Sequence, residues 1–301
     1  MKYADEFRDA AAVRNAIDSI KDIATGSWNI MEICGGQTHS IMRYGLHELL
    51  PENINLLHGP GCPVCVTPAE KIDQAIAIAM QENTVLCSYG DMLRVPGNSR
   101  SLLDCKALGA DVRVIYSPLE PVDIAIGEPE KEIVLFAIGF ETTAPGNAAA
   151  IRQAKLKHVE NFSALVSQVT VPAAIDALLG NNDFEIDGFL AAGHVCTIMG
   201  FHQSHWLAAK YQVPIVITGF EPLDILAGIE KCVLQLESGR HSVENAYARY
   251  VTEKGNQPAQ DILQEVFQQV DQTWRGIGVM PGSGLSLNKN YQHFDAAQRF
   301  S

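Results

Sequence analysis

Short apolar runs alternate along this chain with longer stretches in which apolar residues recur every three or four positions. The short runs fall at residues 29–33, 54–57, 84–88 and 112–116, and the same rhythm resumes at 132–138, 163–168, 188–192 and 214–218. Runs of this length between helical stretches predict the strands of mainly parallel sheets with helices on their faces. Residues 1–25 carry an amphipathic helical pattern, 230–250 and 261–270 read as helices, and 277–280 reads as a last strand ahead of Pro281-Gly282-Ser283-Gly284. Turn residues gather in Ser117-Pro118-Leu119-Glu120-Pro121 and Gly127-Glu128-Pro129-Glu130, which puts a domain boundary near residue 120. The expected organisation is an α/β chain with an N-terminal helical segment at 1–25, a first Rossmann-like domain at 26–120, a second at 121–301, and a cleft between them.

In open parallel sheets the chemistry gathers beyond the carboxyl ends of the strands, and the unusual residues of this chain fall there. Cys34 opens Cys34-Gly35-Gly36-Gln37-Thr38-His39 after the first run, and Gly59-Pro60-Gly61-Cys62-Pro63-Val64-Cys65 follows the second. Glu141, His194 and Glu221 each follow a later strand. If the two sheet edges face each other, Cys34, Cys62, Cys65, Glu141, His194 and Glu221 line the cleft. The two-residue spacing of Cys62 and Cys65 lets their sulfurs close a disulfide or grip one soft metal ion. Thr67-Pro68-Ala69-Glu70 reads as a helix start, with Thr67 as N-cap and Pro68 at the first helical position. Both thiols would then lie just outside a helix N-terminus, where the macrodipole favours thiolate and a low pKa.

Each residue also has a structural alternative. Cys34 reads equally as a small buried residue in a tight turn, and His39 as a packing or metal-binding side chain. Glu141 and Glu221 suit helix N-termini, and His194 suits a strand-end hydrogen bond. Gly139-Phe140-Glu141 and Gly219-Phe220-Glu221 echo each other after two strands of the second domain. Cys87, Cys105, Cys196 and Cys232 have apolar or helical neighbours and read as packing residues, and no second Cys pair completes a zinc ribbon.

Charge and composition narrow the function classes. Against 35 acidic residues stand 22 basic ones, a net charge of −13, and no Lys/Arg block makes a phosphate-tracking stripe, so nucleic acid is not an expected partner. Neither a secretory start nor an apolar run long enough for a membrane span is present, and seven cysteines, an odd number, suit a reducing cytoplasm. The glycines fit neither GxGxxG nor GxxxxGK[ST], which leaves a nucleotide unsupported.

With these motifs in view, the chain resembles the HypD family of hydrogenase formation scaffolds along nearly its whole length. The resemblance rests on the Cys34–His39 block, on His58-Gly59-Pro60-Gly61-Cys62-Pro63-Val64-Cys65, and on Gly90-Asp91-Met92-Leu93-Arg94-Val95-Pro96-Gly97. It extends to Gly139-Phe140-Glu141-Thr142-Thr143, Gly193-His194-Val195 and Gly219-Phe220-Glu221-Pro222. It implies a scaffold on which iron, held between this chain and a small HypC-type chaperone, acquires cyanide and carbon monoxide, with a HypE-type carrier bringing the cyanide precursor. Carried over, Cys34 is the iron thiolate ligand and Cys62 with Cys65 the redox dithiol. His39, Glu141, His194 and Glu221 position ligands or move protons, His39 as a metal candidate. The family continues past Phe300 into a cysteine-rich segment for a [4Fe-4S] cluster. This sequence has no cysteine after Cys232, so no such cluster is expected in the chain as given. The rival expectation is a stand-alone cytosolic thiol-disulfide oxidoreductase using Cys62 and Cys65.

Overall fold

The computed structural model describes residues 5–180 and 185–301. Eleven strands run in chain order through these residues. They are β1 (Trp28–Glu32), β2 (Ile54–His58), β3 (Thr84–Ser88), β4 (Asp111–Val114), β5 (Glu132–Gly139), β6 (Phe162–Val169), β7 (Gly188–Ala192), β8 (Ile215–Thr218), β9 (Val243–Asn245), β10 (Phe267–Trp274) and β11 (Gly278–Leu287). The first eight lie where the apolar runs place them, to within a residue or two at most ends.

These strands form two sheets. The first has the order β2-β1-β7-β8-β9 and every pairing in it is parallel. The second has the order β10-β11-β6-β5-β3-β4, with β6, β5, β3 and β4 parallel and the β10–β11 hairpin joined antiparallel to β6. Helices connect the parallel strands, as expected of two Rossmann-like sheets.

The expected boundary near residue 120 does not separate the sheets. β3 and β4 pair with β5 instead of staying with β1 and β2, and β7 returns to pair with β1. The chain therefore divides into one compact unit of Met1–Cys62 with Ala174–Gln257 and another of Pro63–Ala173 with Pro258–Ser301. Turn-rich composition at 117–130 marks a connection within the second unit, because local signals carry no information about which strand is a partner.

In the first unit, Ile30, Leu190 and Val216 pack under the Pro222–Glu237 helix through Ile225, Ile229 and Val233. The expected N-terminal segment is part of this unit: a 3₁₀ turn at Asp5–Arg8 leads to a helix at Ala10–Ile23 whose Ile17 and Ile20 join the same core. Residues 1–4 of that segment lie outside the described residues. Asp9 caps the helix by accepting from the N–H groups of Ala11 and Ala12 at 3.1 and 2.8 Å. At the far end of the Pro222–Glu237 helix, Glu237 pins the approach to β1. It accepts from the backbone N–H groups of Thr25 and Gly26, each at 2.8 Å, and from the Trp28 indole at 2.7 Å. Those donors hold its carboxyl down to about 2.

In the second unit, β5 is buried along nearly its whole length, and Val134, Phe136 and Ile138 meet Ile72, Ala75 and Leu165 in the core. Three expectations in the C-terminal third are corrected. The helix expected over 230–250 stops at Glu237, where Gly239 adopts φ +64° and turns the chain into β9. The helix expected over 261–270 is Gln257–Val266, and Phe267 begins β10, half of whose residues stay exposed. The last strand is longer than 277–280 and runs through Pro281. It tolerates that residue because the register shifts between Val270 and Gln272, and no ladder hydrogen bond is asked of a proline nitrogen there.

Candidate functional site around Cys34

Strand order explains why Cys34 meets His194. In the first sheet the chain steps from β1 outward to β2, and from β7 outward through β8 to β9, so the direction of winding reverses between the neighbours β1 and β7. Such a switch point opens a crevice beyond the carboxyl ends of its two strands. Cys34 lies just past β1 and His194 just past β7, and the Cys34 Sγ lies 3.8 Å from both His194 ring nitrogens.

Cys34 sits at the N-cap of the Gly35–Arg43 helix with extended backbone (φ −150°, ψ 124°), and its sulfur accepts from the Gly36 N–H at 3.4 Å. Burial pushes its thiol pKa up, against the pull of the Gly36 and Gln37 backbone amides. Burial lowers the pKa of His194, which favours the neutral imidazole, and its ring lies 5.0 Å from that of Phe220. A cysteine sulfur beside a ring nitrogen brings one soft and one borderline donor together, two of the ligand types that transition metals accept.

The loop after β2 is wrapped against Cys34. The Gly59 N–H donates to the Glu32 carbonyl at 2.8 Å and the Gly35 N–H to the Gly61 carbonyl at 3.1 Å. A Cβ on Gly61 would lie 2.4 Å from both Cα and N of Cys34, so only glycine allows this approach. Cys62 comes immediately after and is half-buried, whereas Cys65 is exposed. The helix start expected at Thr67 is displaced. Cys65 belongs to a separate four-residue turn of helix, Pro63–Val66, and the Thr67 hydroxyl donates back to the Pro63 carbonyl at 2.8 Å instead of capping the next helix. Pro68 then takes the N-cap position of that helix, Ala69–Ala79, without a side-chain cap. The division between the two units falls between Cys62 and Pro63, inside the CxxC.

Two polar residues that carried no weight in the sequence hold this end together. Glu32, the last residue of β1 and fully buried, accepts from the Cys34 N–H at 2.8 Å, from the Thr38 hydroxyl and from Nδ1 of His58 at 2.7 Å. Gln37, also fully buried, donates to the Thr218 hydroxyl at 2.6 Å at the end of β8. The signal for both was present, a carboxylate ending an apolar strand and an amide in a glycine turn, but a sequence does not show burial.

The remaining candidates are distributed differently. His39 is exposed on the Gly35–Arg43 helix and takes no part in the Cys34–His194 contact. Glu221 precedes the Pro222–Glu237 helix and is ion-paired with Nε and Nη2 of the Arg8 guanidinium, the latter at 2.7 Å. Glu141 belongs to the other sheet, beyond β5, where one carboxyl oxygen accepts from the Val171 N–H at 2.9 Å and the other is buried without a hydrogen bond. Desolvation raises its pKa to about 7. A cleft of about 360 Å³ lined by Asn83, Thr84, Asp111 and Lys131 lies at the opposite, amino-terminal edge of β3 and β4. Among the described residues, no cluster of three or more His, Cys, Asp or Glu side chains is arranged to hold a metal ion. None of their helices is long and apolar enough to cross a membrane.

Residues 11–301 match the sequence profile of HypD, the hydrogenase formation hypA family. The chain belongs to the HypD family. It is 45% identical over 311 residues to the hydrogenase maturation factor HypD of Rhizobium leguminosarum bv. viciae, covering 100% of this chain and 81% of that protein. It is 43% identical over 310 residues to the HypD of Cupriavidus necator, covering 82% of it, and 41% identical over 308 residues to that of Escherichia coli K12, covering 83%. The packing of Gly61 on Cys34 gives one of the glycine-rich blocks a physical reason.

Two outcomes test this geometry. Gly61→Ala is expected to lower the unfolding free energy by about 2 kcal/mol, the typical cost of forcing an atom into packed backbone. Gly127→Ala, whose added Cβ meets nothing within 4 Å, should leave urea denaturation unchanged or slightly improved. For Glu141 the folded pKa is raised from 4.5 to about 7, so its contribution is fully present below the unfolded value and is lost as pH rises toward 7. Denaturation followed against pH should show a fall of roughly 3 kcal/mol accumulating over that window and levelling off above it, and Glu141→Gln should remove this component.

Proposed function

We propose that this chain serves nickel-iron hydrogenase maturation as the scaffold on which an iron ion receives its cyanide and carbon monoxide ligands. The observation that carries the reading is the approach of the Cys34 sulfur to His194 at the β1–β7 switch point. Iron is the cargo of this site. The Cys34 thiolate holds it, His194 offers a nitrogen from the facing strand end, and a HypC-type small chaperone together with the diatomic ligands fills the remaining positions. A HypE-type protein delivers the cyanide precursor.

Cys62 and Cys65 act as the redox dithiol of this reading. On forming a disulfide they pass two electrons and two protons to an acceptor, in this reading the carrier-bound cyanide precursor, and an external thiol reductant restores the dithiol. Glu141, whose burial pushes its carboxyl up to about 7, can exchange a proton near neutral pH where a surface carboxylate stays ionised. The assembly takes place in the cytoplasm, where thiols stay reduced.

The test is infrared spectroscopy of the chain purified anaerobically with its small partner. Cyanide and carbonyl stretches on bound iron are expected in the wild type and are expected to vanish in Cys34→Ala, with iron content falling in parallel and the circular dichroism spectrum unchanged. Unaltered bands in that variant would overturn the assignment. Steady turnover of a model disulfide by the chain with a thiol reductant and no partner would favour the thiol-disulfide oxidoreductase reading instead.

A further inference from the structure

Three donors converge on one carboxyl beside Cys34. Glu32 is fully buried, and its oxygens take the Cys34 backbone N–H at 2.8 Å, the Thr38 hydroxyl and the Nδ1 of His58 at 2.7 Å. A carboxylate removed from water is costly unless its lone pairs are filled, and here the donors come from three places that must be held in register. Cys34 is the turn that carries the sulfur, Thr38 is one turn along the following helix, and His58 is the residue directly opposite Glu32 on β2 and the last before Gly59-Pro60-Gly61. Both glycine-rich blocks are thus fastened to the same side chain.

We propose that Glu32 is a positioning residue for the Cys34 site, locking the Cys34 turn and the His58 end of β2 into one frame and fixing His58 as its Nδ1–H tautomer. With Nδ1 donating to a carboxylate, the lone pair of this imidazole is on Nε2, the arrangement by which carboxylate–histidine pairs set ring orientation and basicity. A glutamine at position 32 cannot reproduce this. Its amide has one acceptor oxygen and one donor nitrogen, while Cys34 N–H and His58 Nδ1–H both require acceptors. Either the cysteine turn or the histidine tautomer must change.

The inference rests on the reading of Cys34 as a metal thiolate, and cobalt(II) titration of the full chain separates the two. The probe is the metal alone, followed through its thiolate charge-transfer absorption, with ¹⁵N-histidine NMR reporting the His58 tautomer. Wild type should show the band and an Nδ1-protonated His58. With Cys62 and Cys65 replaced by serine so that no other exposed thiol pair competes, Cys34→Ala should abolish the band, and Glu32→Gln should weaken cobalt binding at least tenfold, shift the band and alter the tautomer. His58→Gln keeps an N–H donor for Glu32 and should resemble wild type, whereas His58→Phe should resemble Glu32→Gln. A residue that only held the fold would move the unfolding midpoint and neither the band energy nor the tautomer.

If Cys34→Ala loses the band while Glu32→Gln and His58→Phe match wild type, the Glu32 proposal is overturned and the Cys34 reading stands. A band that survives in Cys34→Ala when Cys62 and Cys65 are also serine, or that is absent from wild type both alone and with its small chaperone partner, overturns the Cys34 reading and this proposal with it. Should Glu32→Gln fail to fold, the His58 pair decides: equal behaviour of His58→Gln and His58→Phe refutes the proposal.

Discussion

Parallel pairing of β1 with β2 on one side and β7 on the other is the constraint on which the Cys34 end depends. Because β7 is separated from β1 by more than 150 residues of sequence, the pairing fixes a long-range contact that no local motif could supply. It puts two strand ends side by side with the chain departing in opposite directions, and the space between those departures is where Cys34 and His194 meet. Gln37 adds a cross-tie to β8 through the Thr218 hydroxyl, so the helix that begins at Cys34 is referenced to a third strand of the same sheet.

Within that frame, burial and hydrogen bonding pull the site in opposite directions. Burial favours the neutral thiol of Cys34 and the neutral imidazole of His194. Backbone amides at the helix start favour the thiolate, although less strongly than burial opposes it. The balance keeps this thiol less acidic than an electropositive, exposed catalytic cysteine. The close approach of Gly61 serves the same end. It seals the Cys34 backbone from one side with a loop that has no side chain to spare.

Much of the fold was legible from the chain. Strands β3 and β7 match the apolar runs to the residue, since a run such as Thr84–Ser88 or Gly188–Ala192 is apolar, short and bounded by breakers. What could not be read was partnership. β3 and β4 come after β2 in sequence and differ from it in no local property, yet they pair with β5. The β10 strand was missed for a related reason: Gln268, Gln269, Asp271 and Gln272 give it the polarity of a solvent-facing helix, and only pairing with β11 makes it a strand. At the candidate site, cysteine and glycine spacing singled out the two loops that pack together through Gly61 and Cys34. Glu32 went unseen because a glutamate at a strand end looks like solvent-exposed polarity until its burial is known.

The two Gly-Phe-Glu segments show how far identical local sequence can diverge once the sheets are formed. Each follows a buried parallel strand, β5 in one unit and β8 in the other, and each phenylalanine packs on an aromatic ring, Phe140 on Trp274 and Phe220 on His194. The glutamates then meet opposite environments. Glu221 opens toward the N-terminal turn and is held by Arg8, while Asp224, one turn on, accepts its N–H and is itself gripped by both arms of Arg249 at 2.6 Å. Glu141 is held by the Val171 backbone and has little water-facing surface, so desolvation decides its protonation. A carboxyl that burial pushes up to about 7 is well placed to exchange protons near neutral pH. Glu221 instead commits its carboxylate to Arg8 and so fastens the Asp5–Arg8 turn to the start of the Pro222–Glu237 helix.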